Sequence, residues 1–532
     1  MFNKQLLPFS TTGSLNKLVS DYLLKKKEVV PLYTNFPNKE GYDAAINAQG
    51  IYANLDRKLL VNSLSQQAIT VNNTTDQTLK NINLLLNQNT FTVTTGHQLC
   101  LFTGPMYFIY KILSVINQCE WLSKQYPNKQ FVPVYWMASE DHDFEEIDHA
   151  YVFGKKITWS STQTGAVGDF KTEGIEAAIE DLKQIIGENE NTTELLQVFS
   201  KAYNEFKNLS EATRYIVNEL FGKYGLVVVD GNNAELKQTF RSVILKDLKE
   251  NLPFKKVSET IDYLHKHNYT AQVNPREINC FYMEDQKRNR IEKQNNEYKV
   301  VNTNHVFSEK EIEHIVDTDI VKISLNVVLR PLYQQHILPN IAYVGGPGEL
   351  HYWLQYKAMF DEFNIHFPIL QPRHFVMLLD KGVQQKITKL ELTAETFFKS
   401  EKEIIDTLAI TKGSVLELKK EKEELQLYYD DLTTKATSID KTLESSVKAE
   451  AQKALNGLAA IEAKLNKALK QRLETEINQI KTIRTKLFPE NIPQERFDNV
   501  SMYISKYGMK FIDELKIALG ENELSYVILK EN

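Results

Sequence analysis

Cysteine is nearly absent. Cys100, Cys119 and Cys280 are the three in 532 residues, an odd number with no paired spacing. That count excludes a disulfide framework and a zinc ribbon and fits a reducing compartment. No run is long and apolar enough to span a bilayer, and the start from Met1 to Pro8 lacks the apolar stretch of a signal peptide, so a cytoplasmic location with no membrane partner is expected. Strong charge of either sign is also lacking. Sixty-three Lys and Arg against 69 Asp and Glu leave a net charge of −6, which gives no electrostatic reason to expect nucleic acid and favours small-molecule or protein partners. The zinc pattern His-Glu-x-x-His is missing; a metallohydrolase is a weak alternative and no metal is expected. Proline is missing between Pro372 and Pro489, an interval in which glycine occurs only at Gly382, Gly413 and Gly457.

That last interval is rich in Lys, Glu, Leu and Ala, the composition of long helices. Its apolar residues, among them Ile439, Leu443, Val447, Ala451, Leu458, Ile461 and Leu465, recur mostly every three or four positions. An antiparallel helical hairpin is expected, with arms near 385–435 and 437–488. The spacing fits a bundle within one subunit as well as a coiled coil that joins two copies. The tail at 489–532 holds a short helix and a final strand, Leu524 to Leu529, and is expected to pack on the body.

Upstream, the composition is that of a folded protein, with 42% hydrophobic, 10% aromatic and 25% charged residues. Five short apolar segments read as buried strands: Phe91 to Thr95, Phe131 to Ala138, Leu226 to Asp230, Ile341 to Val344 and Phe367 to Leu370. Helical patterns lie between them, such as Ser210 to Tyr224, with Ser210 as N-cap and Gly225 past the end. Strands alternating with helices predict a mainly parallel, doubly wound α/β sheet. Roughly ninety residues separate the second and third strands, and over a hundred the third and fourth, far beyond an ordinary crossover. Two inserted subdomains are therefore expected. The first, 151–208, reads as irregular structure followed by helices such as Gly174 to Ile186. The second, 232–328, mixes helices at Ser258 to His267 and from Ser308 with strands at Asn279 to Met283 and Tyr298 to Asn302. The core is assembled from 1–150, 209–231 and 329–384.

Three loops at strand ends carry the candidate chemistry. After the first strand, Gly96, His97, Gln98 and Gly104 lead to Pro105 and a helix bearing Tyr107 and Lys111. Free amides between Gly96 and Gly104 and the positive helix end would suit a phosphate or carboxylate, although a plain strand-to-helix turn fits equally. After the second strand come Glu140, Asp141, His142 and Asp143. These could bind an amine, act as general acid or base, hold a divalent cation, or only make turn and cap bonds. After the fourth strand, Gly345, Gly346 and Gly348 open a helix with Glu349 in its first turn. Arg330 and Arg373 offer planar forks to phosphate or carboxylate, or pair with a protein carboxylate.

The order and spacing of Thr95-Gly96-His97-Gln98, Thr103-Gly104-Pro105, Tyr107 and Tyr110-Lys111, then Pro133 to Trp136, Glu140 to Phe144, Leu329-Arg330-Pro331 and Gly346 to Glu349, resemble the bacillithiol biosynthesis cysteine-adding enzymes. The resemblance covers essentially the whole chain. It implies a Rossmann-like core related to class I aminoacyl-tRNA synthetases, two connective insertions, and a C-terminal coiled coil used in forming a homodimer. It also implies a ligase that joins the carboxyl group of cysteine to the amine of glucosaminyl-malate, with activation by ATP or another adenine nucleotide. By the synthetase analogy His97, Gln98, Tyr107 and Lys111 stand at the nucleotide. Glu140, Asp141 and Asp143 would hold an ammonium group, His142 would be a base, and Glu349 would complete the pocket. His97 stands where the family often has glutamine, Cys100 lies where small or apolar residues are usual, and no second signature with a mobile lysine pair is present. A nucleotide-dependent transferase or hydrolase on another substrate, and a coiled-coil scaffold without catalysis, are the competing readings.

Overall fold

Residues 2–48, 55–412, 417–521 and 523–532 are described in the computed structural model. The five expected strands form one parallel sheet. They are β1 (Thr90–His97), β2 (Gln130–Met137), β3 (Val227–Asp230), β4 (Asn340–Gly345) and β5 (Ile369–Pro372). Their order, β5-β4-β1-β2-β3, is that of a doubly wound Rossmann-type sheet, which reverses direction between β1 and β4. Ligands of such sheets bind beyond the carboxyl ends of the strands at that switch point.

The strands read as nearly continuous apolar runs because both faces are covered. Phe91, Val93 and Phe131 pack on one side against Val115 and Leu122 of α1 (Tyr107–Gln125). Val132, Val134, Val227 and Val229 pack on the other with Leu329 and Leu332, and each such side chain contributes roughly 1.5–3 kcal/mol by leaving water. The crossover into β3 is α2 (Leu209–Phe221), whose N-cap is Asn208, not Ser210: the Asn208 side chain accepts from the Glu211 amide at 2.9 Å. Gly225 does end that turn, at φ +75°. The helices α3 (Leu329–Ile337) and α4 (Pro347–Leu354) flank β4.

The first insertion is less irregular than expected. It opens with an antiparallel hairpin, His149–Val152 against Lys155–Thr158, before its helices Glu176–Ile186 and Thr193–Glu205. The second contains a five-stranded antiparallel sheet whose middle strand, Lys287–Gln294, was not anticipated. Its only large apolar residue is Ile291, too little to print an alternation.

The chain forms two compact units, Met1–Met377 with Pro493–Asn532, and Leu378–Ile492. In the first, Phe2–Leu7 pairs antiparallel with Tyr526–Glu531. In the second, Lys419–Ile439 and Leu443–Arg472 form an antiparallel helical hairpin that turns at Asp440, whose carboxylate accepts from the Thr442 amide at 2.8 Å. The arm expected at 385–435 is not one helix. Lys381–Lys389 and Glu401–Thr411 precede it, and 413–416 lie outside the described residues. Among the described residues no helix is long and apolar enough to cross a membrane.

Candidate active site

A cleft of about 420 Å³ opens beyond the carboxyl ends of β1 and β4, a volume suited to small ligands. Of the expected residues, Gly96, His97, Gln98, Tyr107, Lys111, Asp141, Arg330, Gly346, Gly348, Glu349 and Arg373 line it. Glu140, His142, Asp143, Gly104 and Gly345 do not.

Lys111 begins the second turn of α1 and is buried. Its ammonium donates to the Gly96 carbonyl and, at 2.9 Å, to Glu349 Oε1. Glu349 is held further by the Tyr343 hydroxyl at 2.6 Å and by the Gly346 amide at 2.8 Å. Burial alone would raise the Glu349 carboxyl, but Lys111 and these two donors outweigh it and keep it below the usual range. One lysine thus ties the end of β1 to the turn after β4.

The loop after β1 differs from the expected anion cradle in its second half. Every N–H from Leu101 to Met106 is taken within the protein, Pro105 having none, and those of Leu101, Phe102 and Met106 go to Ile147 O at 2.9 Å, Tyr203 Oη at 3.0 Å and Asp498 O at 2.8 Å. Thr103 and Gly104 bond back to Cys100 and Leu101. Asn499 closes the other side by donating to the carbonyls of Phe102 and Gly104 at 2.8 and 2.7 Å. Pro105 does not open the helix either, because α1 begins at Tyr107 after this braced turn. Gly104 serves the turn itself: its φ is +67°, and a Cβ there would stand 2.7 Å from Cys100 Cβ.

The four residues of the acidic cluster part company. Glu140 turns into the core against Lys237, whose ammonium also donates to Asn232 Oδ1 and Ile323 O at 3.0 Å. Asp141 faces the cleft, 3.5 Å from Arg330 Nη1 and 3.3 Å from Gln98 Nε2. Burial would raise its carboxyl, but Arg330 and Arg288 prevail and hold it low, so it is ionised. His142 stands outside the cleft with Nδ1 accepting from Arg288 Nη1 at 2.9 Å. Burial and that guanidinium push it down, and a ring with Nδ1 so occupied is not poised as the base that was expected. Asp143 is exposed. Among the described residues no group of His, Cys, Asp and Glu could hold a metal ion.

Arg373 meets Glu495 through both Nη atoms, at 2.9 and 2.7 Å, and is 1% exposed, so its fork is already filled. Burial pushes His97 down to about 3. The ring is neutral, with Nδ1 on the Gln98 carbonyl at 2.8 Å. Burial also raises Cys100 to about 12, which leaves it inert as a nucleophile. Reasoning from sequence missed Tyr343, Tyr352 and Arg496, which line the cleft, and Arg288, which bonds His142 outside it. For Tyr343 a signal existed, a lone polar-tipped aromatic inside an apolar strand. For Arg288 and Arg496 there was none, since their places depend on tertiary contacts.

A family model described as bacillithiol biosynthesis BshC, N-terminal Rossmann-like domain, matches residues 2–374, and one described as bacillithiol biosynthesis BshC, C-terminal coiled-coil domain, matches 376–531. A relative from Flavobacterium psychrophilum, named "Putative cysteine ligase BshC", is 41% identical over 527 residues, 98% of this chain and 99% of its own. Relatives of the same name from Flavobacterium johnsoniae and Bacillus cytotoxicus are 38% and 24% identical, over 98% and 94% of this chain and 99% and 95% of theirs. The chain therefore belongs to the BshC family of bacillithiol biosynthesis proteins.

Proposed function

We propose that the cleft joins cysteine, through its carboxyl group, to the amine of glucosaminyl-malate, forming an amide. The observation that carries this reading is the Asp141 carboxylate, ionised and flanked by Arg330 on the wall of a small-molecule cleft, in a chain matched over its whole length by relatives named cysteine ligases. An ionised carboxylate beside a guanidinium can take an ammonium group on one edge while the arginine takes a carboxylate, which is how a free amino acid is recognised. Asp141 and Arg330 are accordingly assigned to cysteine, and Lys111 with Glu349 to setting the spacing of the two walls.

Amide formation from a free carboxylate needs activation; ATP would supply it by turning a carboxylate oxygen into a phosphate or AMP leaving group, which the amine displaces as it loses a proton. The glycines fit a phosphate chain: Gly348 lines the cleft, and a Cβ built there meets nothing within 4 Å, so no packing demand explains a glycine inside a helix turn. Gly346 and Gly348 would let the chain approach the backbone, and Lys111 would add charge beside it. Pairing of a second copy through the helical hairpin, where Leu427 and Ile439 are 68% and 81% exposed, is part of the same proposal.

Incubation of the full chain with cysteine, glucosaminyl-malate and ATP, followed by mass analysis, is expected to yield the amide, and yield none when ATP is left out. Absence of the product with every component present removes the ligase reading, and Asp141→Asn acting at the wild-type rate removes the assignment of Asp141.

A further inference from the structure

Residues 494–501 run across the loop after β1 as a strap. Every side chain in it is buried except that of Arg496. On one side of Arg496, Glu495 is 2% exposed, grips Arg373 and accepts from the Val376 amide at 2.8 Å. On the other, Phe497 stacks on Tyr151 at 4.1 Å, and Asn499 fastens the carbonyls of Phe102 and Gly104. Its neighbours fix the backbone at Arg496, while its own guanidinium stands on the cleft wall, 5.6 Å from the ring centre of Tyr107.

Four cations line this cleft, and three have partners. Lys111 meets Glu349 at 2.8 Å, Arg330 meets Asp141 at 3.5 Å, and Arg373 meets Glu495 at 2.7 Å. Among the described residues no carboxylate pairs with Arg496. An exposed arginine on an otherwise buried strap, with a fixed backbone and an empty fork, is placed for a ligand and does nothing for the core.

We infer that Arg496 is a second anion-binding group of the cleft besides Arg330, taking an oxyanion of an incoming substrate, either a carboxylate or a phosphate. Its fork suits a planar carboxylate or two phosphate oxygens, and the Tyr107 ring beneath keeps the guanidinium from swinging away. The inference deepens the ligase reading, whose acceptor carries carboxylates and whose activator carries phosphates, but its test does not need turnover.

The full chain is titrated calorimetrically with malate and, separately, with pyrophosphate. Wild type is expected to bind at least one of them. Arg496→Ala should weaken that anion by about tenfold, Arg496→Lys should recover part of the loss, and the melting temperature should stay unchanged because the side chain is exposed. The anion that responds identifies the source. Equal binding by wild type and Arg496→Ala, or no binding of either anion by wild type, overturns the inference. In the ligase assay the matching substrate should show a raised KM with kcat retained. If wild type makes no amide the ligase reading falls, while the two titrations still decide the role of Arg496.

Discussion

Two glycine-bearing loops flank the cleft, and in sequence they look like two versions of one device. The second half of the loop after β1, from Leu101 to Met106, spends its amides on Ile147, Tyr203, Asp498 and its own carbonyls, and its glycine at 104 answers a backbone requirement. The loop after β4 makes one such closure, Gly346 to Glu349, and its Gly348 answers no requirement of the folded chain. The first is a braced wall and the second an open one. The difference teaches that a glycine-rich strand-to-helix turn does not define an anion site; where its amides are bonded decides that.

The heaviest blow to this contrast falls on the tie between the walls. Lys111→Ala leaves the half-buried Glu349 without its cation and should lower unfolding free energy by about 3 kcal/mol, whereas Lys111→Met with Glu349→Gln should lose much less; urea denaturation of both measures it. If the single variant is as stable as wild type, the walls are not coupled. Asn499→Ala strips the donor from two buried carbonyls of the braced loop and should cost about 3 kcal/mol. Gly104→Ala meets a positive φ and Cys100, for a loss of about 2 kcal/mol.

His97 sharpens the same wall through pH. Its folded value is about 3 against an ordinary 6.5. Between those values the unfolded chain takes up a proton that the folded chain refuses, so stability is full above pH 6.5 and falls as pH drops toward 3. His97→Gln should shrink the loss between pH 7 and pH 5 by up to roughly 2 kcal/mol, read from urea midpoints at the two values; an unchanged slope would show that His97 is not held neutral. Smallest of all is Gly348→Ala on the open wall. Its melting temperature should hold or rise, since alanine favours a helix by up to about 1 kcal/mol, while kcat/KM falls. A variant with full activity would mean that no ligand approaches Gly348.

The sheet was legible because a strand buried on both faces prints a continuous apolar run. Hence Phe91 to Thr95 and Phe131 to Ala138 were found nearly to their ends. Lys287–Gln294 was hidden because a strand at a polar surface prints little, and Arg288 is accommodated there by Ser324 Oγ at 2.8 Å, a partner 36 residues away. The position of the site was legible as well, since acids and glycines gathered at strand ends. The parts played by individual residues were not. Glu140 and Asp141 are adjacent and chemically alike, yet one meets Lys237 in the core and the other meets Arg330 in the cleft, and spacing within a loop carries no record of such distant partners.

The strap at 494–501 also sets an order of events in the making of the protein. Arg373 waits for Glu495 through about 120 intervening residues, which a ribosome adding about 5–20 residues per second supplies in roughly 6–24 s. Throughout that interval the loop after β1 lacks Asn499, and the guanidinium of Arg373 lacks its carboxylate. The cleft is therefore finished only after the whole helical hairpin has been synthesised, and a message cut short anywhere in that hairpin yields a sheet without a completed site.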